Sequence, residues 1–520
     1  MTAAPVGLAG TGAAFTDPCD TRLALRAPGL LGEFNRAGVL SAVDVHVALR
    51  FERFGPETQE GVLLAAALAV RAPRLGHVHV DLAAVRHTAT VDVDVPVDLQ
   101  ALPWPDPEGW VPMVAASPLV AHGEDGPDDR PLRLIGSWLY LDRYWREERQ
   151  VAADLAVRAE HAVGGVDLAV LRAGLDRLFP AASGEEGADR QRLAAATAVL
   201  RPLAVVAGGP GTGKTTTVAR ILALLDDQAR AAGAPPPLVA LTAPTGKAAA
   251  RLEEAVHEEA ATLDVADDVR TRLLATHAST LHRLLGWQPG NRSRFRHHRG
   301  NRLPHDVVVV DETSMVSLSQ MAKLSEAVRP DARLVLVGDP QQLASVEAGA
   351  VLGDIVGPAS IDLLMRQAAR AALADATGET VDADDPPAGT AIGDGIVVLR
   401  RVHRFGGGIA ALADSIRRGD GDATIAALSG AHDDVTWIPL DLAAPPLAGP
   451  NPATIAGLEP KSRSLSSGAP PATLAAVRAA AVDVGTAIAD AARAGDARAA
   501  LEALGGFRML CAHRRGPYGV

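Results

Sequence analysis

Cysteine is almost missing from this chain. Only Cys19 and Cys511 occur in 520 residues, which excludes a disulfide framework and a zinc site built on thiolates. Long hydrophobic runs are missing too. The longest, Val62 to Val70, falls well short of the roughly 20 apolar residues that cross a bilayer, so no membrane partner is expected. The opening MTAAPVGLAGTG has neither the basic start nor the long apolar core of a signal peptide, and a soluble, cytoplasmic protein is the expectation. Nor is there an excess of positive charge. The net charge of −12 weighs weakly against nucleic-acid binding, although a local groove matters more than the total.

What is present points to a globular protein. Apolar residues make up 48%, enough to bury a core in each of about two to four domains. Helical patterns run near Leu23–Ala37 and Gly61–Ala72, followed by the strand-like GHVHVDL at 76–82. The stretch from Leu102 to Pro131 is rich in Pro, Asp and Gly and predicts a linker or exposed loop. LRLIGSWLYLDRYWREERQVAADL then begins as strand and becomes a charged amphipathic helix. From Ala188 to about Pro358 strands alternate with helical segments, the pattern of a doubly wound parallel sheet. The acidic ATGETVDADDPPAGTAIGDG at 376–395 predicts a flexible insertion. Beyond it come a strand (GIVVL), a helix (IAALADSIRRG), a strand (VTWIPL), a long loop at 444–471, a helix from Ala472 to Leu504, and a last strand in FRMLCAH.

The chemistry begins at VVAGGPGTGKTTT, residues 205–217. Gly208 to Thr215 fit G-x-x-x-x-G-K-[ST], with an apolar run before and a helix-forming run after, the context this motif requires. Converging backbone N–H groups and a helix N-terminus suit phosphate oxygens. Gly208, Gly209, Pro210, Gly211, Thr212 and Gly213, then Lys214, Thr215 and Thr216, are therefore expected to hold ATP. Lys214 would reach its β- and γ-phosphates, and Thr215 would hold Mg²⁺.

A phosphate loop alone does not say what the energy drives. HDVVVVDETSM at 305–315 puts four valines in a buried strand and two carboxylates at its C-terminal end, where open parallel sheets place ligands. Asp311 can hold the metal shell, and Glu312 can orient or deprotonate an attacking water, which favours hydrolysis. In RLVLVGDPQQLASVEAGAVLGDI, Gln342 lies just past another strand and could report the γ-phosphate. Arg404, in RRVHRFGGGIAALADSIRRGD, is as consistent with an ordinary surface arginine as with one that meets developing charge on a phosphoryl group.

The order GGPGTGKTTT, LTAPTGKAAARL, STLHRLLG, VVVVDETSM, GDPQQLASVEAGAVLGDI and VHRFGGGIAALA resembles superfamily 1B DNA helicases of the RecD type, the alpha subunits of exodeoxyribonuclease V (RecBCD). RPLRLIGSWLYLDRYWREE and FRMLCAHRRGPYGV are similar as well, so the likeness covers roughly residues 130–520 well and the rest loosely. It implies an α/β fold of two RecA-like P-loop lobes behind a small, mainly helical N-terminal domain. Residues 1–115 would be the partner-docking domain, 116–358 the first ATPase lobe with its lead-in, and 359–520 the second lobe. Members of this family normally continue past the GPYGV segment, so the resemblance implies an incomplete second lobe. It further implies ATP-dependent 5′-to-3′ movement on single-stranded DNA at an unwinding duplex, in double-strand break repair and recombination, with RecB-like and RecC-like subunits. Lys214, Thr215, Asp311, Glu312, Gln342 and Arg404 would form the ATPase site, Gln191 would contact adenine, and Thr245, Lys247 and His282 would face DNA. Two other readings stay open. One is a stand-alone helicase of the same superfamily, for which a helix–hairpin–helix array or relaxase histidine cluster is wanting. The other is a nucleotide-binding structural subunit with little motor activity.

Overall fold

The computed structural model describes residues 20–51, 59–91, 97–180, 189–288, 294–342, 347–360, 362–387, 390–400, 407–430, 432–438 and 475–511. The chain divides into two compact units, Met1–Phe405 and Gly406–Val520.

The first unit opens with helices Gly29–Arg36, Ala42–Arg50 and Glu60–Arg74 packed on a four-stranded sheet. Its strands are β1 (His79–Asp81), β2 (Val120–His122), β3 (Leu132–Ile135) and β4 (Trp138–Leu141), in the order β1-β4-β3-β2. The stretch 102–131 is not a linker. Pro107 starts a helix, Pro107–Ala115, at a position where its missing N–H costs nothing. Trp110 on that helix is buried and donates its indole N–H to the Gly61 carbonyl at 2.8 Å. Trp104 meets Phe34 edge-on at 4.5 Å. Two tryptophans outweigh the loop-forming composition around them, because each removes a large apolar area from water. The N-terminal domain accordingly runs on through β4 and does not close at residue 115.

Behind it, a six-stranded sheet holds β5 (Leu203–Gly208), β6 (Val239–Ala243), β7 (Ala278–Thr280), β8 (Val307–Val310), β9 (Arg333–Gly338) and β10 (Ile396–Leu399). The order is β10-β5-β9-β8-β6-β7, and every pair is parallel. Side chains alternate between two cores. Ala204, Val206, Val307, Val309, Val335 and Val337 face one, and Leu203, Val205, Val308, Val310, Leu334 and Leu336 face the other. Helices on both sides close these cores, as a sheet that is apolar on both faces demands.

The helix Asp142–Glu160 is fastened to the second of these faces. Its buried Arg158 donates to the carbonyls of Ala332, Val328 and Arg329 at 3.0, 2.8 and 2.8 Å.

The sheet also overruns the expected lobe boundary at 358. β10 pairs with β5 in register Ile396 to Val205, so residues 359–400 belong largely to the first lobe. Nor is 376–395 a free insertion. Val381, Ala383 and Ala391 are buried, and buried Asp394 accepts from the Arg366 backbone N–H and Nε, both at 2.8 Å. Apolar residues spaced through an acidic segment anchor it, and a paired aspartate follows the last of them.

The second unit shows helices Gly407–Arg417, Gly421–Ser429, Ala475–Arg493 and Ala497–Gly505. The single helix expected from 472 to 504 breaks at Gly495 (φ 75°), and Asp496 caps the next one by accepting from the Ala499 N–H at 2.9 Å. Among the described residues of the expected strands, 435–438 and 507–511, the only ladder contact is an isolated bridge from His432 to Val435. The loop expected at 444–471 lies outside the described residues. No described helix is long and apolar enough to cross a membrane.

Candidate nucleotide and nucleic-acid site

The site lies at the C-terminal edge of the parallel sheet. β5 ends in Gly208, the loop Gly209–Gly213 follows, and Lys214, Thr215 and Thr216 form the first turn of helix Lys214–Ala231. Gly213 takes φ 81°, and a Cβ there would lie 2.3 Å from Gln191 Nε2. Only glycine fits that turn. Gln191 itself donates to the Thr212 carbonyl at 3.0 Å, which joins helix Arg190–Leu200 to the loop. Thr212 is buried and donates its hydroxyl to the Gly209 carbonyl at 2.9 Å.

Lys214 bends back over this loop. Its Nζ donates to the Gly208 and Gly209 carbonyls at 2.7 and 2.8 Å. Burial pushes the pKa of its ammonium down, against the pull of Asp339, Asp311 and Glu312. Asp311, at the end of β8, is buried, and this pushes its carboxyl up to about 6. The backbone N–H of Glu312, 2.8 Å from Asp311 Oδ1, and the Lys214 charge resist that rise, while the neighbouring Glu312 charge adds to it.

Thr215, Asp311, Glu312, Gln342, Thr245 and Lys247 line one open cleft of about 1180 Å³. Thr245 also caps helix Gly246–Thr262 by accepting from the Ala248 N–H at 3.2 Å. Lys247, the second residue of that helix, is exposed. His282 is not on this cleft. It stands exposed on the short helix Leu281–Leu284, with its ring 6.0 Å from that of Phe295. Arg404 lies outside the described residues. No cluster of three or more metal-binding side chains occurs among those described.

Two contributors were missed from sequence. Asp339, just past β9, is the foremost charge acting on Lys214, and Ser314 bonds Gln342 at 3.0 Å. The only available signal for Asp339 was its place after the apolar run of β9. Its nearness to Lys214 follows from β9 lying between β5 and β8.

Comparison with known proteins matches two family models. One, RecBCD enzyme subunit RecD, N-terminal domain, covers residues 36–140, and the other, an AAA domain, covers 191–348. The first match ends within β4, in accord with the small sheet. Among curated relatives, the RecBCD enzyme subunit RecD of Mycolicibacterium smegmatis is 45% identical over 484 residues, covering 93% of this chain and 71% of the relative. The same subunit of Mycobacterium tuberculosis H37Rv is 45% identical over 509 residues, covering 96% and 72%. The ATP-dependent RecD2 DNA helicase of Deinococcus radiodurans is 35% identical over 208 residues, covering 39% of this chain and 25% of its own length.

Proposed function

The chain belongs to the family of RecD subunits of RecBCD enzymes, and from that premise we propose that it is an ATP-dependent 5′-to-3′ DNA helicase subunit. It acts on single-stranded DNA at an unwinding duplex, beside RecB-like and RecC-like partners, in double-strand break repair and recombination. One observation carries this reading above the others. Thr215 of the phosphate-loop motif, the acidic residues Asp311 and Glu312, and Thr245 and Lys247 line a single cleft.

In this account Lys214 leaves the Gly208 and Gly209 carbonyls and turns to the β- and γ-phosphates, which replace both lost contacts with charge-assisted ones. Gln191, bonded to the base of the loop, contacts adenine. The remaining nucleotide contacts come from Gly208 to Thr216. The Thr215 hydroxyl and Asp311 carboxylate, both on the cleft, are hard oxygen donors suited to Mg²⁺. Bound there, Mg²⁺ supplies neutralising charge beside the phosphates. Glu312, less buried than Asp311, takes a proton from the attacking water, and Gln342 reads the γ-phosphate. Arg404 is assigned to the transferring phosphoryl group on its place in VHRFGGG. Lys247 meets a DNA phosphate while Thr245 bonds the strand and His282 stacks or bonds farther along it. The helical domain on the small sheet docks partners, and the unit beginning at Gly406 belongs to the second lobe.

Glu312→Gln tests the reading. The amide keeps size and polarity but cannot accept the proton, so the variant is expected to bind ATP with Mg²⁺ while hydrolysing it at least about a hundredfold more slowly. Hydrolysis at the parental rate would remove Glu312 from its role.

A further inference from the structure

Glu312 is the one non-glycine residue with positive φ, 50°, among those described. A left-handed conformation crowds the Cβ of an L-residue against its own backbone and persists only where its surroundings hold it. Here three features do so. The Thr313 hydroxyl donates to the Val310 carbonyl at 2.9 Å, and the Met315 N–H donates to the Glu312 carbonyl at 3.0 Å. Gly338, at the end of β9, leaves room for the turn. A Cβ there would stand 3.1 and 3.3 Å from the backbone nitrogens of Thr313 and Ser314, and 2.7 Å from the Leu352 side chain. The turn Thr313–Met315 thus lies against the end of the neighbouring strand. Its consequence is the placement of Ser314, which is buried with its hydroxyl 3.0 Å from Gln342 Oε1.

We propose that Ser314 is a positioning residue for Gln342. It donates its hydroxyl proton to the amide oxygen, which fixes the rotation of the amide and leaves the –NH₂ as the free, donating side. A γ-phosphate has only acceptors to offer, so an amide fixed this way round is the one that can read it. The same bond joins Gln342 to the turn that begins at Glu312. This rests on the assignment of Gln342 to the γ-phosphate made above.

The test is a double-mutant cycle on steady-state ATP hydrolysis by the full chain with single-stranded DNA, with melting temperatures taken alongside. Ser314→Ala is expected to lower kcat about ten- to a hundredfold, the range for loss of an orienting partner, with KM for ATP nearly unchanged. Gln342→Ala is expected to do the same, and the double variant to be no slower than the slower single one. Ser314→Thr, which keeps the hydroxyl, is expected to restore most of the rate. Losses that multiply in the double variant would overturn the proposal, since Ser314 would then act independently of Gln342. So would parental kcat in Ser314→Ala, or a Ser314→Thr that folds like the parent yet turns over like Ser314→Ala. If Gln342→Ala alone hydrolyses at the parental rate, the assignment of Gln342 fails and takes the proposal with it.

Discussion

Asp311 shows how one side chain ties pH to both function and stability. Burial lifts its carboxyl to about 6, above the ordinary aspartate value near 3.9. The folded state therefore holds the proton more tightly than the unfolded one. Stability from this group is full below the ordinary value and is lost as pH rises through the window from there to about 6. Asp311→Asn should remove that slope and raise the melting temperature at neutral pH, as thermal melts across pH 4–8 would show. Metal binding runs the other way, because the ligand must be ionised. Apparent Mg²⁺ affinity of the parent should fall by about tenfold per unit as pH drops below about 6. A pH-independent affinity in that range would contradict the ionised-ligand role. The places of Lys214 at the start of the helix after the phosphate loop and of Asp311 just past β8 were legible in sequence, because a motif prints them. Asp339 and Ser314 were not, because their importance comes from β9 lying beside β5 and β8 and from the left-handed turn at Glu312, which no local pattern announces.

Among the elements, strands with unbroken apolar runs were readable and segments with mixed composition were not. VVVV in β8 and LAVVAG in β5 are buried on both faces, and such runs have few alternatives to the middle of a parallel sheet. The stretch 102–131 misled because proline and aspartate start helices as readily as they break them, as Pro107 does. What settles it is Trp110, packed in the N-terminal core and bonded to Gly61. Trp110→Ala should cost about 3–5 kcal/mol of stability, measured by denaturant unfolding of the full chain and followed by a probe in the N-terminal domain. A loss under about 0.5 kcal/mol, the scale of an ordinary surface change, would mean that this stretch behaves as the linker its composition suggested. The segment 376–395 misled in the same way, its acidic surface concealing Val381 and Ala383 against the core and the buried Asp394, which pairs with the half-buried Arg366.

At the scale of the whole molecule, a chain of net charge −12 is asked to hold a polyanion. Local cations must do this work, and salt dependence checks it. Log affinity for single-stranded DNA should fall against log salt with slope about −0.7 per phosphate neutralised. If Lys247 meets one phosphate, Lys247→Ala should flatten that slope by up to about 0.7. An unchanged slope would move the strand off this part of the cleft. The central claim is that one cleft couples nucleotide hydrolysis to the DNA strand, and the most direct measurement is the steady-state ATP hydrolysis rate with and without single-stranded DNA. The parent chain is expected to hydrolyse ATP faster when DNA is added. Lys214→Ala is expected to lose hydrolysis in both conditions at an unchanged melting temperature, since among the described residues its side chain bonds the Gly208 and Gly209 carbonyls and is not part of the hydrophobic core. Hydrolysis that ignores DNA, or that survives Lys214→Ala, would contradict the account.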